Sequence, residues 1–235
     1  MLLPFRMMAA VALTLGLSAA PVQAATAKPA ATGGAWGAKV AISPVGGHIQ
    51  GNTAAPHKLI EYMSYTCSHC AHFEAETALP LRMGPVGGGQ LSFEVRHLVR
   101  DPLDITIAML TNCVPPVKFF PLHHKFLIEQ DKWIATAQKL TEAQTKRWNE
   151  GQMPERMRAI ASDLKFYDIA ASAGLSHAQA DACFANEATL RRVIAQTKEA
   201  QELGATGTPT FTLDGKMLEE HDWAGLQPKL AAVLK

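Results

Sequence analysis

The chain has 235 residues, of which 48% are hydrophobic and 18% are charged, and its formal net charge is +1. This composition excludes a disordered chain, which would be less apolar and more highly charged, and the balanced charge argues against a basic face for nucleic acid. Four cysteines are too few for a scaffold held together by many disulfides.

The first 24 residues have the three regions of a secretory signal peptide. Arg6 precedes an apolar stretch, and small residues follow before Ala24. We expect cleavage after Ala24 or after Ala27. An uncleaved membrane anchor is the alternative, although the apolar run is shorter than the ~20 residues that a membrane span needs. The signal predicts export to the periplasm, where disulfides persist, and residues 25–37 are expected to form a flexible leader.

A strand–helix–strand unit is predicted next. Residues 58–64 have the pattern of a buried strand, and the segment after Cys67 has helical spacing. Residues 91–97 alternate between apolar and polar side chains, as a half-buried strand does. The two strands of such a unit are expected to be parallel.

Helical spacing then continues for about 100 residues, and Asp104 is predicted to cap the first helix. Further helices are predicted near residues 119–129, 132–140, 155–173, 176–184 and 186–203.

A hairpin and a last helix close the chain. Residues 211–213 and 216–218 flank Asp214-Gly215, a strong signal for a tight hairpin turn, and Asp222 is predicted to cap the last helix.

The order of elements therefore predicts an α/β protein: a thioredoxin fold with an inserted α-helical domain. The thioredoxin-like domain would be discontinuous, with the helical domain inserted between its two parts. The predicted boundaries are 38–103 and 204–235 for the thioredoxin-like domain, and 104–203 for the helical domain.

The sequence Cys67-Ser68-His69-Cys70 lies where the first predicted strand meets the first predicted helix. Unpaired backbone N–H groups and the helix dipole favour a thiolate at that position, and His69 can add positive character or a hydrogen bond. We expect Cys67 to be the exposed nucleophile and Cys70 the buried resolving thiol. A metal site with His69 and His72, or a structural bridge, are the alternatives; haem attachment is excluded because Ala71 follows Cys70.

Thr208-Pro209 precedes a late strand and is predicted to be a cis peptide bond beside the two cysteines. The backbone groups of Thr208 would then be free to pair with an extended substrate peptide. An ordinary trans proline at a strand start is the alternative.

Glu61 lies within the first predicted strand, six residues before Cys67. Because burying an acid is costly, we expect it to exchange a proton with Cys70; the alternative is that it faces solvent. Two histidines, His123 and His124, are expected on a half-buried polar face, although one of them could line the groove near the active site.

The stretch from Leu59 to Glu74, which contains both cysteines, resembles the DsbA-like family of bacterial thiol–disulfide oxidoreductases. The resemblance continues through the helical block to Gly207-Thr208-Pro209-Thr210-Phe211. It implies a thioredoxin domain with inserted helices, with Cys67 as the attacking cysteine, Pro209 as the cis-proline and Glu61 as the buried acid. Many family members have Pro where this chain has Ser68, and many DsbA proteins have Val where it has Thr208.

Cys113 and Cys183 lie in the helical block. Four cysteines allow three pairings, and the close spacing of the first two favours a second bridge between Cys113 and Cys183. A subset of DsbA-like proteins is similar in this respect. Two buried free thiols are the alternative.

These features together predict an exported, monomeric oxidase that passes its Cys67–Cys70 disulfide to reduced, unfolded secreted proteins. No metal or organic cofactor and no nucleic acid are expected. The resemblance implies a quinone-linked membrane partner of the DsbB type as reoxidant. An isomerase or reductase of the same fold, and a non-catalytic chaperone, remain the alternatives.

Overall fold

The computed structural model describes residues 36–234, which belong to one compact unit. The predicted signal peptide and nearly all of the predicted leader therefore lie outside the described residues. Within residues 36–234, none of the helices is both long and apolar enough to cross a bilayer.

Six strands form one mixed sheet in the order β1-β2-β4-β3-β5-β6. Their bounds are β1 Val40–Ile42, β2 His48–Gly51, β3 His57–Met63, β4 Leu91–His97, β5 Thr210–Leu213 and β6 Lys216–Met217. The pair β3–β4 is parallel, as the sequence predicted, and every other pair in this sheet is antiparallel.

The strands β1 and β2 were not predicted. They have only three and four residues, too few for the alternation that identifies a strand. Their hairpin turns through Gly46, whose φ of +88° is costly for residues other than glycine. Because β2 pairs with β4 on the side opposite β3, β4 is an interior strand of the sheet.

Ten helices occur in the described part of the chain. Their bounds are α1 Ser68–Met83, α2 Pro102–Asn112, α3 Pro116–Ile128, α4 Gln130–Ala137, α5 Glu142–Asn149, α6 Met153–Asp163, α7 Phe166–Ala171, α8 His177–Phe184, α9 Glu187–Glu202 and α10 Trp223–Val233.

The first inserted helix starts earlier than predicted. Its N-cap is Asp101, whose carboxylate accepts the N–H groups of Leu103 and Asp104, and Pro102 occupies the first helical position, where a missing N–H costs nothing. Asp104 was therefore wrongly identified as the cap. It lies in the first turn, fully buried, with a different role described below.

The helix predicted over residues 155–173 is two helices, because Lys165 takes a left-handed conformation with φ 62° between α6 and α7. Helix α5 was missed, although Thr141 and Gln144 form a capping box at its start. The hairpin was confirmed, with positive φ at both Asp214 and Gly215 as its tight turn requires.

The helical block packs onto the sheet mainly through α9 and α3. Gln196 of α9 accepts the N–H of His97 at the end of β4, and His48 of β2 stacks on Phe119 of α3 with 3.7 Å between ring centroids. Cys113, at the end of α2, is bonded to Cys183 of α8. The boundaries drawn between a discontinuous thioredoxin-like domain and a helical domain stay a prediction.

Candidate active site

The two cysteines of the C-x-x-C sequence lie at the junction of β3 and α1. Cys67 is the N-cap residue of α1, with φ −94° and ψ 119°, and Cys70 lies in the first turn. Both are free thiols, and Cys70 is completely buried. The N-terminal position gives Cys67 the unpaired N–H groups of the first turn.

The loop between β3 and Cys67 is held by the inserted helices. Asp104 of α2 accepts the hydroxyl of Ser64 at 2.6 Å and the N–H of Tyr65 at 2.8 Å. Gln130 of α4 donates its side-chain amide to the carbonyls of Tyr65 (2.6 Å) and Cys67 (3.0 Å). The sequence did not predict these contacts of either residue, because nothing in the pattern around residue 104 or 130 shows which loop the side chain contacts.

The Cys67 sulfur has contacts that stabilise its thiolate. A hydrogen bond from the Cys70 thiol, aided by the Thr208 side chain and the backbone N–H groups of Cys70 and His69, outweighs burial and lowers the pKa of Cys67 to about 5. His69 contributes to this shift through its backbone, and its side chain is exposed.

Cys70 has the opposite character. Burial raises the pKa of this thiol well above its usual range, and the hydrogen bond that it donates to Cys67 raises it further. The pair is therefore asymmetric, with a thiolate at Cys67 and a protonated thiol at Cys70 near neutral pH, as a nucleophile and its resolving partner require.

Cys67 is less open than the sequence predicted. The residue is only 4% exposed. Its sulfur is approached through a cleft of about 470 Å³. This cleft, called here the cysteine cleft, is lined by Thr66, Cys67, Ser68, His69, Leu98, Arg100, Thr206, Gly207 and Thr208.

Thr208 lines the cysteine cleft beside Cys67 and is followed by the predicted cis-proline, Pro209. The Thr208–Pro209 peptide bond is cis, and the β3–β5 ladder ends at the pair Tyr62–Thr210, so Thr208 lies beyond it. The Thr208 carbonyl accepts the Cys67 thiol at 3.1 Å. The carbonyl is therefore engaged while Cys67 is protonated, and the thiolate that the low pKa favours cannot donate to it. That both backbone groups of Thr208 pair with a substrate peptide stays a prediction.

Glu61 is buried in the sheet below the cysteines, with 1% of its surface exposed. It lies between Val95 of β4 and Phe211 of β5. Burial, followed by the nearby charge of Glu74, raises the pKa of Glu61 well above its usual range. A protonated carboxyl near a buried thiol can exchange a proton with it. Because Glu61 is buried, the alternative that it faces solvent is wrong.

A buried polar chain runs beside the site. His123 Nδ1 is hydrogen-bonded to the hydroxyl of Tyr65 at 3.0 Å, and His124 Nδ1 is hydrogen-bonded to the carboxylate of Glu74 at 2.8 Å. Although burial raises the pKa of Glu74, the nearby imidazoles of His123, at 3.7 Å, and of His124 outweigh it and lower this pKa to about 2. The half-buried face expected for the two histidines is wrong for His123, which is 1% exposed.

The predicted site residues fall into two groups. Cys67, His69 and Thr208 line one cleft. Cys70 contacts Cys67, Pro209 follows Thr208 through the cis peptide bond, and the buried Glu61 interacts electrostatically with both cysteines. The Cys113–Cys183 bridge lies elsewhere, between α2 and α8. No cluster of three or more His, Cys, Asp or Glu side chains in residues 36–234 is arranged to hold a metal ion.

The mixed sheet, the cysteines at the start of α1 and the cis-proline opposite them define a thioredoxin-type protein with inserted helices. The family described as thioredoxin matches residues 43–231, and the chain belongs to this family.

Two solved structures are similar to this chain in sequence or in fold. The crystal structure of a protein-disulfide isomerase from Novosphingobium aromaticivorans is 46% identical to this chain, with a TM-score of 0.76 over 80% of this chain and 97% of that one. The alpha-DsbA1 of Wolbachia pipientis shares the fold, with a TM-score of 0.63 at 19% identity over 82% of this chain and 93% of that one.

A curated relative from Rickettsia conorii is named provisionally as a protein-disulfide oxidoreductase. It is 27% identical over 169 residues, which cover 71% of this chain and 53% of that protein. The chain spans about half the length of the curated relatives that it matches.

Proposed function

We propose that the protein is a thiol–disulfide oxidoreductase that introduces disulfides into reduced polypeptides. The observation that carries this proposal is the environment of Cys67, in which hydrogen bonds lower the thiol pKa to about 5. A stabilised thiolate favours the reduced form of the protein. The Cys67–Cys70 disulfide is therefore a strong oxidant that is readily passed on.

The reaction proceeds in two exchanges. A substrate thiolate attacks the Cys67 sulfur of the oxidised protein; a mixed disulfide forms, and the Cys67–Cys70 bond breaks with the electron pair leaving on Cys70. A second substrate thiolate attacks the substrate sulfur of the mixed disulfide and releases Cys67 as a thiolate. Two substrate thiols lose two electrons and two protons, and the two electrons reduce the protein disulfide.

Glu61 serves the first exchange. The departing Cys70 sulfur is buried and its thiol pKa is raised by burial, so it must take up a proton as it leaves. Glu61 is held protonated by its own burial, and it supplies that proton. In the reverse direction the carboxylate takes the proton back.

The proposed location rests on the signal-like N-terminal sequence, and the proposed redox partner rests on the resemblance to the DsbA-like family. The signal-like first 24 residues support export to the periplasm, where the substrates would be unfolded secreted proteins. A quinone-linked membrane protein of the DsbB type is the proposed reoxidant. The dithiol itself is the redox group, so the proposed reaction uses no metal or organic cofactor.

Isomerisation is the second candidate function, favoured by the 46% identity with the protein-disulfide isomerase from Novosphingobium aromaticivorans. An isomerase attacks incorrect disulfides with a reduced Cys67, whereas an oxidase must hold Cys67 in a disulfide. The two functions therefore differ in the redox state that is active.

The test compares oxidised and reduced protein on the same substrate. Oxidised protein, added in equimolar amounts to reduced unfolded ribonuclease, is expected to remove substrate thiols, and reduced protein is not. A Cys67→Ser variant is expected to be inactive. Rapid repair of scrambled ribonuclease by the reduced protein, with no oxidation by the oxidised protein, would favour the isomerase. Unchanged activity of Cys67→Ser would indicate a binding-only chaperone.

A further inference from the structure

A second depression adjoins the cysteine cleft. It has a volume of about 250 Å³ and lies between the β4–α2 connection and helix α6. Arg100 lines both this depression and the cysteine cleft. The two are therefore neighbours on one continuous surface, and we call the second one the Arg100 pocket.

The floor of the Arg100 pocket is apolar. It is formed by Ile105 of α2 with Met157 and Ile160 of α6, all of them at most 9% exposed. Met153, at the start of α6, is 42% exposed and forms part of the rim. Methionine side chains adapt to many apolar shapes, which suits a surface that accepts varied sequences.

The rim carries positive charge. In the described part of the chain, the Arg100 guanidinium donates no hydrogen bond, and Arg156 uses only its Nε, which donates to the Trp148 carbonyl at 2.7 Å. The carboxylate of Asp101 also lines the pocket, but its oxygens already accept the hydroxyl of Thr66 and two backbone N–H groups at the start of α2. The hydrogen-bond donors on the rim that remain free in the described residues belong to the two arginines, and guanidinium groups hydrogen-bond well to a carboxylate.

We propose that the Arg100 pocket is a second subsite for the polypeptide whose thiols Cys67 oxidises. It takes an apolar side chain of that polypeptide, with the carboxylate of an adjacent Asp or Glu on the arginines. This inference rests on the proposed oxidoreductase function. It gives a substrate preference, apolar next to acidic at a fixed distance from the reacting cysteine, that the cysteine cleft by itself does not supply.

The test uses cysteine peptides that differ at one pair of positions. Leu-Glu, Leu-Lys, Ala-Glu or Ala-Lys is placed two, four or six residues to either side of the cysteine, and the rate of mixed-disulfide formation with the oxidised protein is measured. At one spacing we expect Leu-Glu to react at least fivefold faster than Ala-Lys. Rates within twofold of each other at every spacing would overturn the subsite.

Two matched variants locate the effect. Met153→Glu puts a negative charge on the rim and is expected to reduce the Leu-Glu advantage to less than twofold while raising the relative rate of Leu-Lys. Met217→Glu makes the same change at a 40% exposed methionine on β6, outside the pocket, and is expected to keep the advantage. Equal loss in both variants would contradict the proposal.

A binding measurement separates the subsite from the redox chemistry. Fluorescence anisotropy of the same labelled peptides, with Ser in place of Cys, is expected to show weaker binding to Met153→Glu than to Met217→Glu. Selective binding without any thiol reaction would support the subsite and contradict the oxidoreductase function. Thiol reaction at equal rates for all peptides would support the function and overturn the subsite.

Discussion

At the scale of single residues, the contacts of one sulfur atom carry the proposed chemistry. Cys67 is stabilised as a thiolate, and the side chain of Thr208 is among the groups that lower its pKa. The Thr208 hydroxyl is buried and has no hydrogen-bond partner in the described residues. It is therefore available to donate a hydrogen bond to the Cys67 thiolate.

Replacing Thr208 by valine should raise the Cys67 pKa. The variant keeps the shape of the side chain and removes the hydroxyl, so the thiolate loses one possible hydrogen-bond donor. A hydrogen bond to a charged group contributes ~1.5 kcal/mol, which corresponds to a rise of about one unit in the Cys67 pKa. The measurement is the thiolate absorbance at 240 nm as a function of pH. Thr212→Val is the matched control, because its hydroxyl is also buried and without a partner in the described residues, yet is not among the groups that shift the Cys67 pKa. An equal shift in both variants would refute the role of Thr208.

Replacing Glu61 by glutamine should slow the disulfide exchange in which the Cys67–Cys70 bond breaks or, in the reverse direction, forms. Glutamine has nearly the same volume but cannot deliver or accept the proton, and we expect the rate at which the oxidised protein forms the mixed disulfide to fall at least tenfold, as for the loss of a general acid–base group. Stopped-flow fluorescence measures this step. Glu76→Gln, at an exposed position on helix α1, should leave the rate unchanged; an unchanged rate in Glu61→Gln would exclude the proton role.

At the scale of elements, helix α2 begins at the active-site loop. Its Asp104 is fully buried, and burial raises the pKa of this carboxyl to about 7 despite hydrogen bonds from Ser64, Tyr65 and Arg100. Because the ordinary value is 3.8, the folded protein binds more protons than the unfolded chain between about pH 4 and 7. Proton binding by Asp104 therefore stabilises the folded protein at low pH, and the free energy of unfolding falls as the pH rises through that window.

Replacing Asp104 by asparagine should remove this pH dependence. Other buried groups titrate in the same range, including His97, whose pKa burial lowers to about 3, so the informative quantity is the difference between variant and wild type. We expect the variant to gain stability relative to the wild type between pH 4 and 7, measured by urea unfolding of the oxidised proteins. A difference that is constant with pH would mean that Asp104 does not titrate in this range.

The sequence predicted the elements that have strong local patterns and missed those that depend on distant contacts. Strands β3 and β4 were identified by their apolar patterns, and α1 was identified by the cysteines at its start. Strands β1 and β2 are short and are fixed by pairing with β4. The roles of Gln130 and Asp104 arise because α4 and α2 fold back onto residues 64–67, about 40 to 65 residues away in the chain, where no periodicity reports a contact.

At the scale of the whole molecule, the Cys113–Cys183 bridge closes a loop of 70 residues through the helical block. Removing it by a Cys113→Ala, Cys183→Ala double variant should lower the free energy of unfolding by ~4 kcal/mol, because the unfolded chain regains the entropy of the open loop. Urea unfolding of the two proteins measures this. A loss below ~1 kcal/mol would mean that the unfolded chain is not constrained by the bridge.

The Cys67–Cys70 pair couples the stability of the protein to its redox state. The folded pKa of Cys67 is about 5, below its ordinary value of 9.0, so between these values the unfolded chain binds more protons. The stability of the reduced protein therefore rises with pH across this window. The oxidised protein lacks this contribution. Near neutral pH the difference favours reduction of Cys67–Cys70 and makes the disulfide an oxidant.

The redox equilibrium of Cys67–Cys70 with glutathione at pH 7 tests this account most directly. The fractions of oxidised and reduced protein, separated after acid quenching, give the potential across a series of glutathione ratios. We expect a value near the ~−120 mV of a strong DsbA-type oxidant. A potential near the ~−270 mV of thioredoxin would show that the thiolate is not stabilised in the way the structure indicates, and would contradict the proposed oxidase.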